Sequence, residues 1–196
     1  KLIGDVEEQF DKAICKMKAP SFEYLRAENL DQVYSAFAEY GDEAMILAGG
    51  QSLMPILNMR LSQPKILIDI NPISELSVIE IKDQFVKIGA TSRYVDLANN
   101  PIINKNLPLI ARAIQDVAHR GVRNRGTLGG SLSHADPAAE MPACAVALDA
   151  TIILESSEGE RRVKSNDFFR GIMTTDRQPH EILKAVEFPL QKMDYA

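Results

Sequence analysis

The chain predicts an α+β fold made of two units, and three observations carry that expectation. Helix and strand signals alternate in the first third. Beyond Pro72 the apolar spacing shortens to a period of two, the mark of paired strands. Two glycine pairs, Gly49-Gly50 and Gly129-Gly130, fall one in each part. A length of 196 residues, with 45% hydrophobic and 25% charged content, suits one large domain or two small ones. At this size roughly 70% of the unfolded surface is buried on folding, so no disulfide or structural metal is required.

Val6, Phe10 and Ile14 recur every four residues, so residues 5–16 read as a short amphipathic helix. Met17 is an alternative start; on that reading 1–16 are an upstream extension, and otherwise a genuine N-terminal helix. Asn29 caps the next helix, with Gln32 three residues on, Leu30, Val33, Tyr34, Phe37 and Ala38 on one face, and Gly41 as its stop. Met45 to Ala48 reads as a strand running into Gly49-Gly50, and Pro55 suits the first turn of a following helix. Lys65 to Ile70 is a further strand. Val78 to Ile81 and Phe85 to Ile88 form a hairpin. Two helices come next, one from Thr91 or Ser92 to just before Pro101, the other carrying Leu109, Ile110, Ala113, Ile114 and Val117 and ending at Gly121. Residues 122–133 read as a polar glycine-rich loop, and Asp136-Pro137 as the start of a helix through Leu148. Strands at Thr151 to Leu154 and Ile182 to Phe188 complete the expectation, with the boundary between units at 70–74. Tyr24, Phe37, Phe85 and Phe188 fall at apolar periodic positions and are expected in the core.

Composition removes several function classes. A formal net charge of -5 repels nucleic acid, and the basic clusters, Arg120, Arg123 and Arg125, then Arg161 and Arg162, are short. No apolar run reaches the 18 or so residues needed to span a bilayer. Cys15 and Cys144 stand far apart without a CxxC, which excludes an iron-sulfur centre or zinc site held by this chain alone and fits a reducing, cytoplasmic compartment. The acidic first residues lack the apolar core of a signal peptide.

Two segments carry chemistry. Ala48-Gly49-Gly50-Gln51-Ser52-Leu53 joins a strand to a helix, and its glycines let backbone N–H groups approach an anion without Cβ interference. It matches neither GxGxxG nor GxxxxGK[ST], so ATP hydrolysis has no support. Arg123-Asn124-Arg125-Gly126-Thr127-Leu128-Gly129-Gly130-Ser131 again combines glycines, hydroxyls and basic side chains. Two such loops suit one diphosphate; the plainer alternative makes Gly49-Gly50 a turn, Arg123 and Arg125 solvated charges, and Gly129-Gly130 a strand bend. His119, His134 and His180 have neither metal-ligand spacing nor a triad pattern. Asp136 reads as a helix cap and Glu140 as a residue one turn on.

At these residues the chain resembles a known family. AGGQSLMPILNMRL at 48–61, IGATSRYVDL at 88–97 and RNRGTLGGSLSHADPAAEMPACAVALDA at 123–150 are similar to the FAD-binding medium subunit of molybdenum hydroxylases, the family of carbon monoxide, nicotinate, nicotine and xanthine dehydrogenases. MKAPSFEYLRAENL at 17–30 and HEILKAVEFP at 180–189 extend the likeness from Met17 to about Pro189.

The resemblance implies a two-unit FAD-binding fold of the vanillyl-alcohol-oxidase and MurB-like type. Its N-terminal unit would span 17–72 and its middle unit 73–190, with 191–196 opening a C-terminal domain that the chain lacks. It implies a first pyrophosphate loop of Ile46, Leu47, Ala48, Gly49, Gly50, Gln51, Ser52 and Leu53, and a second of Thr127, Leu128, Gly129, Gly130 and Ser131. Glu140 matches an acidic position at the ribose and adenine end, and Leu183 an apolar position near the isoalloxazine ring. No catalytic side chain and no metal ligand is implied. Function follows as electron transfer: a partner large subunit carries molybdopterin, a partner small subunit carries iron-sulfur clusters, and FAD in this chain passes electrons to an external acceptor. The rival is a non-catalytic nucleotide- or phosphate-binding assembly module.

Overall fold

The computed structural model describes residues 18–191; the helix expected over 5–16, Met17, Cys15 and residues 192–196 lie outside the described residues. The first part is a three-stranded parallel sheet. β1 (Glu23–Arg26) leads to α1 (Leu30–Tyr40), then β2 (Ala44–Leu47), α2 (Leu53–Asn58) and β3 (Ile66–Asp69). β3 lies between β1 and β2 and pairs parallel with both. α1 starts as the sequence predicts: Asn29 Oδ1 accepts from Gln32 N–H at 3.1 Å, while Gln32 Oε1 reaches back to the N–H of Glu28 at 2.8 Å. It stops at Gly41, whose φ of 52° releases the chain. Leu30, Val33, Ala36 and Phe37 bury its inner face against Ile68, Ile70 and Ile73.

The second part is a five-stranded antiparallel sheet ordered β4-β5-β10-β6-β7, built from β4 (Ile79–Lys82), β5 (Phe85–Gly89), β6 (Thr151–Ser156), β7 (Gly159–Lys164) and β10 (Ile182–Pro189). Between β5 and β6 run α3 (Tyr94–Asn99), α4 (Pro101–Asn106), α5 (Pro108–Asp116), α6 (Arg120–Arg123), α7 (Leu128–His134) and α8 (Glu140–Ala147). Their apolar residues, among them Leu97, Ile110, Ile114, Leu132 and Ala145, close over Val86, Ile88, Ile152 and Val186 of the sheet. After β7 come α9 (Ser165–Phe168) and a small hairpin of β8 (Phe169–Gly171) and β9 (Thr174–Thr175). Among the described residues no helix is long and apolar enough to cross a membrane.

Several expectations need correction. Residues 122–133 are not a loop: α6 ends in them and α7 begins at Leu128, with Gly129-Gly130 in its first turn rather than in a strand bend. Position 129 in this helix admits only glycine, because a Cβ there would stand 2.5 Å from that of Ala90. Asp136 does not start the next helix, since its Oδ1 accepts from Ala138 N–H in a turn and Ala139 precedes Glu140. The helix expected to end before Pro101 does so at Asn99, but an unexpected short helix, α4, begins at Pro101 behind an Asn100 cap. The helix expected to end at Gly121 stops at Asp116, before Ala118 turns to a φ of 36°. Tyr24 is 55% exposed on an outer strand, its hydroxyl donating to Asp69 at 2.5 Å. Phe85 is half-buried, whereas Phe37 and Phe188 lie in the core.

The two parts are joined at a seam. Gly89 packs its Cα against the Leu76 carbonyl, where an added Cβ would lie 2.2 Å from that oxygen. Nearby, the β7 edge is tied to the segment before β10: Arg161 donates to Glu181 through Nε at 2.8 Å and Nη2 at 2.7 Å, and to Asp176 through Nη1 at 2.6 Å. The hydrogen bonds from Arg161 and Arg170 hold the Asp176 carboxyl below its usual range. Burial opposes ionisation of Glu181, yet the hydrogen bonds from Arg161 and Gln178 outweigh it and leave that carboxyl lowered too.

Two outcomes are expected. Gly89→Ala forces the Leu76 carbonyl to move and lowers stability by about 1–3 kcal/mol in urea unfolding. Because both carboxyls have depressed pKa values, the stability that they supply is present above their unfolded values of 3.8 and 4.5 and is lost as pH falls through the folded ones. Acid unfolding curves of Arg161→Met are therefore flatter below those values than the parent's.

Candidate functional site

A cleft of about 690 Å³ lies between the two sheets, within the range of roughly 300–1,000 Å³ typical of small-molecule and cofactor sites. Of the residues that the sequence singles out, Ile46, Ala48, Gly49, Gly50, Gln51, Ser52 and Leu53 line one wall, and Thr127, Gly129, Gly130 and Ser131 the other. Glu140 and Leu183 also line it. Leu47 and Leu128 do not: Leu128 is fully buried in the core of the second part, as a helix residue facing the sheet must be.

The first loop is shaped by its glycines. Gly50 has a φ of 69°, which a side chain would strain. An ideal Cβ on Gly49 would stand 2.2 Å from the Arg125 carbonyl oxygen and 3.0 Å from Gly126 Cα, so the backbones of the two loops touch here. Gln51 Nε2 donates to the Gly49 carbonyl at 2.8 Å, and Met54 N–H to that of Gly50 at 3.1 Å. The five successive N–H groups of Gly49, Gly50, Gln51, Ser52 and Leu53 donate to no acceptor among the described residues. Such a run of unpaired amides at a concave wall has the donors that an anion needs. Anionic diphosphate oxygens require donors of this kind, so the wall fits the diphosphate of FAD.

The second loop differs. Thr127 Oγ1 accepts from Gly130 N–H at 3.1 Å, Leu128 N–H donates to Ser92 at 3.0 Å, and Gly129 N–H to Ala90 at 2.8 Å. These amides are already used. What this wall offers is the bare backbone of Gly130, which is exposed, and the hydroxyls of Thr127 and Ser131. Arg123 and Arg125 do not line the cleft. Arg123 is no solvated charge either, since its Nη1 donates to the carbonyls of Val117 at 2.7 Å and Ala118 at 2.8 Å.

Two further residues went unread in the sequence. Tyr94 lines the cleft, 4% exposed, and burial pushes its phenol up to about 12 although the Ser131 hydroxyl bonds to it. It is a neutral hydroxyl beside the second loop; an aromatic at the start of a helix that follows a strand was the available signal. Arg177 also lines the cleft, in a segment with no periodicity to place it. Asp42, Asp136 and His134 lie along the same surface. Among the described residues no group of three or more His, Cys, Asp and Glu side chains could hold a metal ion.

Comparison with known proteins gives the same cofactor. The family described as "FAD binding domain in molybdopterin dehydrogenase" matches residues 20–191. The chain is 42% identical over 173 residues to the 6-hydroxypseudooxynicotine dehydrogenase complex subunit alpha of Paenarthrobacter nicotinovorans, a match covering 88% of this chain and 58% of that protein. It is 43% identical over 174 residues to the glyceraldehyde dehydrogenase medium chain of Sulfolobus acidocaldarius, covering 89% and 62%. Among solved structures, the quinoline 2-oxidoreductase of Pseudomonas putida 86 superposes with a TM-score of 0.87 at 40% identity, covering 89% of this chain and 61% of that one. The chain thus spans about three-fifths of the length of these relatives. Its α+β architecture, its cleft with a diphosphate-ready wall and these matches together make it a member of the family of FAD-binding domains of molybdopterin dehydrogenases.

Proposed function

We propose that this chain is the FAD-holding component of a molybdenum hydroxylase complex, standing between iron-sulfur clusters on a small subunit and an external acceptor, with molybdopterin on a large subunit. The observation that carries it is the run of five unpaired N–H groups from Gly49 to Leu53 on the wall of a cofactor-sized cleft. The names of its relatives, a "medium chain" and a "subunit alpha" of dehydrogenases, support the placement in a complex. An assembly module without redox chemistry is not favoured, because the family match is to a FAD-binding domain. The two widely spaced cysteines suit a cytoplasmic setting.

On this reading the fold is of the vanillyl-alcohol-oxidase and MurB-like type, with 17–72 and 73–190 as the two units that enclose the cofactor. FAD, when bound, supplies exchange of electrons in ones and twos. The protein's part is placement. The amides from Gly49 to Leu53 hold the diphosphate, and Gly130, lacking a side chain, lets the opposite backbone come close. The Glu140 carboxylate accepts from ribose hydroxyls. Leu183, 3% exposed, gives the ring an apolar wall and keeps water from it. None of these side chains needs to exchange a proton with a substrate.

Two experiments test the reading. In Gly130→Ala the methyl group projects from an exposed position whose nearest neighbour is Thr127 Oγ1 at 2.8 Å. FAD affinity is expected to fall at least about tenfold, roughly 1.4 kcal/mol, with an unchanged far-UV circular dichroism spectrum. Unchanged affinity sinks the second-loop contact. In the other, the purified full-length chain is loaded with FAD and offered N-heterocycles, aldehydes and carbon monoxide. No hydroxylation or oxidation should occur until iron-sulfur and molybdenum subunits are added; turnover by the metal-free chain alone contradicts the relay.

A further inference from the structure

Three arginines and two carboxylates form one cluster at the end of the cleft where β10 begins. Arg161 donates two hydrogen bonds to the Glu181 carboxylate and one to the Asp176 carboxylate, at 2.6 to 2.8 Å, and one more to the Asp176 carbonyl at 2.9 Å. Arg170 donates to the other Asp176 oxygen from Nε at 3.1 Å and Nη2 at 2.8 Å. Gln178 N–H adds a bond to Glu181 at 2.8 Å. Arg177 stands apart from these pairs. Its Nη1 donates to the backbone carbonyls of Gln178 at 2.9 Å, Glu181 at 2.8 Å and Pro179 at 3.5 Å, and it makes no ion pair among the described residues.

Three guanidinium groups against two carboxylates leave one positive charge in excess. That excess faces the cleft, because Arg177 is the only lysine or arginine lining it among the described residues. Pro179, Ile182 and Leu183 line the cleft beside it. Asp42, Asp136 and Glu140 line the cleft too, but the charge acting on Arg177 is that of Glu181, whose oxygens are held by Arg161 and Gln178. Seating a guanidinium on carbonyl oxygens, without an ion pair of its own, is costly in a partly dry site and leaves its field opposed only in part, by the Glu181 carboxylate that Arg161 already holds.

We propose that Arg177 tunes the redox balance of the bound flavin, its guanidinium favouring the reduced, anionic ring over the oxidised, neutral one. This rests on the reading of the cleft as the FAD site with the ring toward Leu183. Reduction adds two electrons to the ring and one proton at its N5, so the ring gains one net negative charge, spread over N1 and its neighbouring carbonyl. A fixed cation at that wall binds the product of this step more tightly than its reactant, which is how a protein shifts a flavin's potential.

The test is the two-electron midpoint potential of the full-length, FAD-loaded chain, measured by dye equilibration, with FAD affinity measured alongside. Arg177→Gln is expected to weaken the preference for reduced over oxidised flavin about tenfold, a fall of about 30 mV for a two-electron couple. Arg177→Lys, which keeps the charge, recovers most of that fall. A parental potential in Arg177→Gln, or an equal fall in both variants, overturns the proposal. If Arg177→Gln does not fold, Asp176→Asn decides: it enlarges the positive excess without touching the cleft wall, so the potential should rise, and an unchanged or lower value overturns the proposal. A parent chain that takes up no FAD overturns the cofactor reading itself; FAD bound with a potential indifferent to these changes overturns only the role of Arg177.

Discussion

The cleft exists because two backbones touch. At Gly49 the space that a Cβ would need is already occupied by the Arg125 carbonyl, 2.2 Å from its ideal position. No other residue type allows that approach, and without it the loop after β2 would stand off from the segment before α7. The same division recurs in the second pair. Gly129 is pressed onto Ala90, while Gly130 is exposed. In each pair the first glycine is used for packing, and the second serves the turn or the cleft surface.

β10 is what makes the two parts one body around that contact. Ile182, its first residue, is buried with Ile68, Ile70 and Ile73 in the core of the first part. Leu183 belongs to the core of the second part and lines the cleft, and Val186 and Phe188 continue inward under the helices. A register shift between Leu183 and Ala185 accommodates the change. Lys184 sits at this irregularity, its carbonyl accepting from Ala90 N–H at 2.9 Å and its ammonium pairing with Glu155. The residue against which Gly129 packs is thus fixed by the same strand that begins beside Arg177. A wall held from two cores can keep its shape while presenting unpaired groups to solvent or ligand.

Much of this was legible in the residues and some was not, for physical reasons. α1 announced itself because cap, apolar face and glycine stop agree over the same eleven residues, Leu30–Tyr40. The β4–β5 hairpin did so through strict alternation. α7 stayed hidden because Gly129 and Gly130 carry poor helix propensity; what makes it helical is the Thr127 cap and the contact with Ala90, a tertiary fact. β7, reading GERRVK, lacks apolar alternation since it is an outer strand with one buried residue, Val163. Tyr24 misled for the same reason on the outer strand β1. At the site, the glycine pairs and Glu140 could be picked out in order. Which loop still has amides to give could not, because that depends on whether Ser92 and Ala90 lie within reach of Leu128 and Gly129.

That inequality between the loops bears on how an acidic protein holds an anionic cofactor. With a net charge of -5 and Asp42, Asp136 and Glu140 on the cleft surface, long-range attraction is of little use. The arginines near the second loop do not repair this: Arg123 is spent on backbone carbonyls, and Arg125 is exposed outside the cleft. On the proposed reading, binding rests instead on short-range dipoles, the five amides from Gly49 to Leu53 that have no acceptor among the described residues. Dipoles of this kind neither titrate nor wander, and added salt screens them far less than it screens surface lysines. Among the described residues that line the cleft, positive charge is left for one place, Arg177 at the opening of β10, where on the proposed reading it acts on the redox state of what is bound rather than on whether it binds.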